Sequence, residues 1–484
     1  MIKGYLFSVL YALICLALAF VVYKLGVPKK ITRKIVHILV GFEWVILYNF
    51  MGPTVHFLAV CLLFTLILWI TNRNSLLPMI SSDGDNSPGT VYYGVAMSVM
   101  ALITFFVHDM ILPFGIGVFC TSFGDGLAGL FGQSITAGWN KKIYNNKSLV
   151  GAFVNFISCF GVTAFFSSHF DLGLSWLNCL AVAVLSLELE LFTGKGLDNI
   201  TITLGTALLS YAFINFSSTA NYIIPILLTP VIIVFAKKKK ALTAGGIIAA
   251  LVIDVIISVF LGNFGFCILL AFFAGGVAVD KIKKKLKKKT SREVEKRSDC
   301  RDHVQVLVNS IVAVICALLY GIFREKVFIV AFVSSLAEAF ADTASSGIGI
   351  IRGKAFDLFR MKPCYPGLSG GMSIPGTLAA LLGAILISVL AFTFGRITLT
   401  EAAIIALAAF LGSVFDSMLG SLVQVKFKCK RCGLILEREE HCKEKAERYS
   451  GIKFVNNDIV NLLGTLFAAT LAAVIYSFSY LPSA

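Results

Sequence analysis

Residues 122–132 read SFGDGLAGLFG and close an apolar run, 109–131, long enough to cross a bilayer. Asp125 places a full negative charge in that run. The second half of the chain repeats the arrangement as AFADTASSGIG, residues 339–349, with Asp342 in the matching place. Both follow Phe–small–Asp–x–x–small–small–x–x–Gly. An acid in such a frame is expensive in lipid and is normally functional or paired. The small residues either let a ligand or another backbone come close or form a helix-packing stripe. Packing alone accounts for the glycines and leaves the acid unexplained.

The chain around these frames is 57% hydrophobic and only 14% charged over 484 residues, with a mean hydropathy of +0.86. Such a composition excludes a soluble domain and predicts an all-α, polytopic integral membrane protein. Apolar runs from 5–23 to 459–480 make about sixteen candidate transmembrane helices of roughly 17–23 residues, among them 36–52, 175–192, 200–215, 242–260 and 264–279. The first, within MIKGYLFSVLYALICLALAF, reads as a signal anchor because no small-residue cleavage site follows it. The run KKKK at 237–240 separates nine spans from seven. The expected organisation is two tandem helical bundles, 1–236 and 241–484, with a Cys-rich loop at 424–457 in the second.

A net charge of +15 would suit a nucleic-acid partner, but its placement argues otherwise. All but four of the 42 Lys and Arg residues (Lys3, Arg324, Lys326 and Arg396) fall in loops on one side of the expected topology. That is the positive-inside pattern. It predicts basic loops and polar working surfaces at the cytoplasm of a bacterial-type inner membrane, with both termini outside. The runs at 237–240 and 281–289 also suit anionic lipid head groups.

In the first half, KKITRKIVHILVG (29–41) carries Arg33, Lys34 and His37, with Arg33 and His37 one helical turn apart. The lysine and arginine also serve as topology signals. Asp125 comes next. NNKSLVGAFVNF (145–156) then places Lys147 and Ser148 at a helix start, a ready anion site. Finally, 185–204 supplies Glu188, Glu190, Asp198 and Asn199. Acids without nearby bases imply a divalent cation, and oxygen ligands beside glycines and a lysine suit Mg²⁺ carrying phosphates. Phosphoryl transfer needs such a metal, a cationic clamp and a base. No Walker, kinase-type or dinucleotide glycine motif is present.

The second half repeats the order. RDHVQVLVNS (301–310) carries Arg301, Gln305 and Asn309. Glu338 and Asp342 follow on one helix face. GLSGGMSIPGTLAALLG (367–383) is either a tight loop or an anion loop, with Ser369, Gly370, Gly371, Ser373 and Thr377 as binding candidates. Asp416 and then Asn457 and Asp458 complete the set. CKRCG (429–433) followed by His441 and Cys442 could form a structural zinc knuckle through Cys429, Cys432 and Cys442, with or without His441 because adjacent His and Cys seldom both ligate one ion, or a redox pair, or free thiols.

The first half resembles the membrane polyprenol kinases, which include dolichol and phytol kinases and are distantly related to phosphatidate cytidylyltransferases. The likeness rests on RKIVHILVG (33–41), GDGLAGLFG (124–132), NKSLVGA (146–152) and GLDNIT (196–201). The second half resembles the membrane family that includes plant phytyl-phosphate kinases, through RDHVQVLVN (301–309), ADTASSGIG (341–349), GLSGGMSIPGT (367–377), DSMLGS (416–421), CKRCG, HC and NND. These resemblances imply a fused, bifunctional enzyme. It would phosphorylate an isoprenoid alcohol to the monophosphate and then the diphosphate, with CTP or another nucleoside triphosphate and Mg²⁺. They imply catalytic roles for Asp125, Lys147, Asp198, Asp342, Asp416 and Asp458. Arg33, His37, Ser148, Asn199, Arg301, Gln305, Asn309 and Asn457 would bind substrate or nucleotide, and Asp125, Glu190, Asp342 and Asp416 would hold Mg²⁺.

Two other readings compete. A cytidylyltransferase or CDP-alcohol phosphotransferase would use related chemistry, but Gly129 stands where the latter's motif needs an arginine. A lipid or anion transporter also uses paired halves and broken helices. Acids near one membrane face favour the enzyme; acids at the midplane would favour transport.

Overall fold

The computed structural model describes residues 2–74, 88–135, 140–216, 219–286, 300–352, 355–364 and 367–479. They form an integral membrane protein built mainly of helices, in two compact units, Met1–Pro230 and Val231–Ala484. The loop between the fourth and fifth helices and residues 287–289 of the lysine run lie outside the described residues.

The helices of the first unit are α1 (Ile2–Lys24), α2 (Lys29–Val40), α3 (Glu43–Phe50), α4 (Val55–Arg73), α5 (Gly89–Phe106), α6 (Ile111–Phe119), α7 (Gly126–Ser134), α8 (Leu149–His169), α9 (Trp176–Phe192), α10 (Asp198–Asn215) and α11 (Ile223–Lys238), the last running across the boundary. Between α6 and α7 the chain stays helical but widens to a π turn over Cys120–Asp125. Such a bulge is a frequent mark of a functional position, and this one ends on Asp125. Ser148 caps α8 by accepting a hydrogen bond from the Gly151 amide. A short hairpin, β1 (Lys142–Tyr144) with β2 (Lys147–Ser148), brings Lys147 to that helix start.

The second unit contains α12 (Ala244–Leu286), α13 (His303–Phe323), α14 (Lys326–Ile348), α15 (Ile374–Thr393), α16 (Leu399–Leu422) and α17 (Asn457–Ser479). Its core is rich in alanine. Ala337, Ala341 and Ala344 of α14 belong to the same buried cluster as Ala380 and Ala384 of α15, Ala408 and Ala409 of α16, and Ala469 and Ala472 of α17. In lipid there is little hydrophobic drive between helices, so small side chains that allow close backbones do this work. Among short strands are β3 (Ala355–Asp357) with β4 (Lys362–Cys364), and a three-stranded sheet of β5 (Lys426–Lys428), β6 (Ile435–Leu436) and β9 (Glu447–Ser450). The hairpin β7 (Glu440–His441) with β8 (Glu444–Lys445) lies between β6 and β9 in sequence.

Twelve of the described helices are long and apolar enough to cross a membrane, against about sixteen expected from hydropathy. The differences have local causes. The 36–52 run is split at Gly41–Phe42 into α2 and α3, of 12 and 8 residues, each too short alone. The runs at 242–260 and 264–279 are two arms of α12 meeting at Gly262, whose φ of +59° breaks the helix. The 175–192 and 200–215 runs become α9 and α10, of 17 and 18 residues, which carry the acids and hydroxyls of the first site.

Candidate active sites

In the first unit, α2 lies against the start of α7, and the glycines of the first frame allow it. A Cβ on Gly126 would lie 2.5 Å from Ile38 Cγ1, and one on Gly129 would collide with the Lys34 stem. The Lys34 ammonium therefore passes over Gly129 to Asp125, at 2.5 Å from Oδ2 and 3.2 Å from the carbonyl oxygen. Lys147 reaches the same carboxylate from the other side, 3.7 Å from Oδ1, and lies 2.9 Å from Asp198 Oδ2 and 3.4 Å from Glu190 Oε1. His37 Nε2 is 3.7 Å from Asp125 and 3.3 Å from the Thr121 carbonyl. Burial alone would lower the Lys147 pKa, but the carboxylates of Asp198, Asp125 and Glu190 outweigh it and hold the ammonium above the ordinary lysine range.

Arg33, Lys34, His37, Asp125, Lys147, Asp198 and Asn199 line one cavity of about 480 Å³. Leu13 and Leu16 from α1 and Phe64, Ile67 and Leu68 from α4 give it a large apolar lining, beside the polar Thr71, Asn72 and Thr90. The site thus has a charged end and a greasy channel. Two expectations change here. Asp125, Glu190 and Asp198 are not acids without bases, since Lys34 and Lys147 pair with them. Ser148 is spent on the helix cap and is absent from the lining. Lys34 and Tyr93 join the site without having been singled out for it. Tyr93 lines the cavity and shares a hydrogen bond with Ser122, at 3.1 Å. The spacing of Lys34 and His37, three apart on a helix, was the available signal. Buried Glu190 Oε2 and Asn199 Oδ1 lack hydrogen-bond partners, which leaves two oxygens for a ligand.

The second unit has a smaller, polar cavity of about 90 Å³. Asp342, Asp416, Asn457 and the loop residues Ser369, Gly370, Gly371 and Ser373 line it, together with Lys283, Ser345, Ser346, Ser417 and Glu437. Gly370, at φ +88°, packs on the end of α16: a Cβ there would lie 2.5 Å from the Ser421 nitrogen. The loop is pinned at Ser369. Its amide donates to Glu437 Oε1 at 2.8 Å, and its carbonyl accepts from Lys426 Nζ at 2.9 Å. Behind the cavity, Glu338 is buried against Gly412 and Gly464, close enough to Asp342 and Asp416 for their charges to act on it, and its Oε1 has no hydrogen-bond partner. These donors are all hard oxygen, the set that suits Mg²⁺.

Arg301, Gln305, Asn309, Thr377 and Asp458 are outside the lining of that cavity. Arg301 pairs with Asp280 at 3.0 Å. Gln305 and Thr377 sit in the first turns of α13 and α15, their amides bonded to the Asp302 side chain and the Ser373 carbonyl. Asp458 takes a 3.5 Å hydrogen bond from Asn456. Asn309 supports the site from behind, through Asn461 to Asn457, each bond 3.3 Å. Helical spacing showed that these residues were polar and aligned, and could not show that the loop approaches α17 rather than α13.

Cys429, Cys432, His441 and Cys442 place one ligand atom each within 4.8 Å of all the others, the only such group among the described residues. His441 Nδ1 is 3.4 Å from the Cys432 sulfur and 3.2 Å from that of Cys442. Amide groups of Cys432 and Arg431 and the His441 ring hold the Cys429 thiol down to about 6.

The family model for integral membrane protein DUF92 matches residues 227–469. Protein VTE6, chloroplastic, of Arabidopsis thaliana is 30% identical over 243 residues, which is 49% of this chain and 66% of that protein. A protein named phytol kinase from Synechocystis is 32% identical over 198 residues, 38% of this chain and 80% of its own. Probable phytol kinase 1, chloroplastic, of Oryza sativa is 28% identical over 216 residues, 40% of this chain and 67% of its own. The chain thus spans just under two thirds of the first of these and more of the other two. No solved structure matches.

Proposed function

The chain belongs to the integral membrane protein family DUF92, and we propose that it is an isoprenoid-alcohol kinase with two phosphoryl-transfer sites, one in each unit. Its relatives named phytol kinase support a phytol kinase-like membrane enzyme. The first site phosphorylates a prenol such as phytol or geranylgeraniol, and the second converts the monophosphate to the diphosphate. The two units are read as tandem helical bundles whose sites and basic loops face the cytoplasm, with both termini outside.

The observation that carries this reading is the cavity of the first unit, where cationic and acidic groups end an apolar channel. An alcohol with a long hydrocarbon tail presents that polarity. Lys34, Lys147 and Arg33 would hold nucleotide phosphates, as CTP or another nucleoside triphosphate. His37, which lines the same cavity 3.7 Å from Asp125, would accept the hydroxyl proton. Asp125 fixes both ammonium groups and the imidazole. Mg²⁺ usually binds through one or two carboxylates plus substrate phosphates. Glu190 and Asn199 would hold it in the first site, and Asp342 and Asp416 in the second. Bound there it would neutralise charge on the transferring phosphoryl group.

The test uses full-length protein in nanodiscs with Mg²⁺, labelled CTP or ATP, and phytol or geranylgeraniol. Labelled mono- and diphosphate should both form. Nucleotide left unconsumed with every prenol would refute the kinase reading. Monophosphate without diphosphate would restrict it to the first unit.

A further inference from the structure

We propose that Cys429, Cys432, His441 and Cys442 bind one zinc ion tetrahedrally, and that this ion fixes the small sheet whose residues hold the glycine loop of the second site. Zn–S bonds of about 2.3 Å put ligands of a tetrahedron roughly 3.7 Å apart. The four ligand atoms already lie within 4.8 Å of one another, so a small contraction closes the set. All four side chains are on extramembrane segments between α16 and α17.

Neighbouring His441 and Cys442 would ordinarily point to opposite sides of a strand. They do not here, because Cys442 and Lys443 form a two-residue hairpin loop with φ of +53° and +64°. Both are L-residues in the left-handed region, a strained conformation that persists only when its surroundings enforce it. A metal bond at Cys442 would do so. At the other end, Gly433 (φ +72°) closes the Cys429–Cys432 turn by donating to the Cys429 carbonyl at 2.9 Å. The Cys432 and Arg431 amides face the Cys429 sulfur, as they would face a bound thiolate. Binding is a coordination step without redox change. The three thiol groups give up their protons, His441 uses neutral Nδ1, and Zn(Cys)₃(His) carries a net charge of −1.

The consequence reaches the second site. β5 leads directly into Cys429 and carries Lys426; β6 leads into Glu437; and these two residues hold the Ser369 carbonyl and amide. The positioning role rests on the second site being as described above, whereas the metal site stands on its own geometry.

Full-length protein purified without chelators should contain one zinc per chain by mass spectrometry. Its X-ray absorption should fit three sulfur and one nitrogen neighbours. Cys432→Ser should lose the zinc, and Cys300→Ser, outside the cluster, should retain it. In Cys432→Ser the amides of 367–371 should exchange at least tenfold faster, a readout independent of catalysis. Less than a tenth of an equivalent of zinc, with none taken up on addition, would overturn the metal site. So would a Cys429–Cys432 disulfide in the purified protein. Bound zinc with unchanged exchange in the variant would overturn the positioning role alone. Bound zinc in a protein that consumes no nucleotide would instead count against the kinase reading.

Discussion

Lys34 Nζ lies 2.5 Å from Asp125 Oδ2, and the two residues are 91 positions apart in the chain. This pair joins α2 to the π turn, and both residues line the cavity of the first unit. Asp125 is buried, so removing its partner leaves a charge out of water. Losing one member of a buried pair typically costs about 3–5 kcal/mol. Lys147 and His37 remain nearby, so the lower figure is expected for Lys34→Met. The double variant Lys34→Met/Asp125→Asn should recover most of that stability and stay inactive in the first step. Thermal unfolding in detergent, beside prenol kinase assays, measures both.

Lys147 makes a pH prediction. Its folded-state pKa is raised above the unfolded lysine value of about 10.4. Its contribution to stability is therefore complete below that pH and is lost only as pH rises through the folded value. The first step should show no alkaline decline between about pH 7 and 10. Lys147→Met should reduce the rate roughly 100-fold or more at every pH in that window. An alkaline limb near pH 8–9 that moves upward in Lys147→Arg would show that this lysine titrates there.

Gly370→Ala should act on the second step alone. A methyl group there meets the Ser421 nitrogen, and the residue is at φ +88°. The loop must shift, at a cost of about 1–2 kcal/mol for the backbone conformation. Diphosphate formation should fall at least tenfold while monophosphate accumulates, as thin-layer separation of labelled products would record.

The apolar wall sets a length rule. Leu16 and Ile67 belong to the apolar lining of the cavity. Leu16→Trp should shorten the space for the tail and move preference from twenty-carbon prenols toward ten-carbon ones. Comparing kcat/KM for geranylgeraniol and geraniol tests this, and an unchanged ratio would place the tail elsewhere.

The membrane class and the chemistry-bearing residues were legible because lipid makes polar residues rare, so each acid stands out in an apolar run. Asp125, Lys147, Asp198 and Asn199, far apart in sequence, line one cavity. What the sequence could not show was pairing. Lys34 looked like a topology signal, since a basic residue beside a span serves that purpose regardless of its contacts. The glycines around Asp125 left room for a ligand, another backbone or a packing stripe, and Gly126 and Gly129 admit Ile38 and Lys34. Span counting failed where helices break, at Gly41–Phe42 and Gly262, because hydropathy is blind to backbone conformation.

If each unit holds its own phosphoryl-transfer site, Asp125→Asn and Asp342→Asn should act on separate steps. With labelled nucleotide, the first variant should fail on the prenol and still phosphorylate added prenyl monophosphate. The second should convert prenol to monophosphate and stop there. If each substitution abolished both steps equally, or if Asp342→Asn left diphosphate formation intact, the two-site account would be wrong.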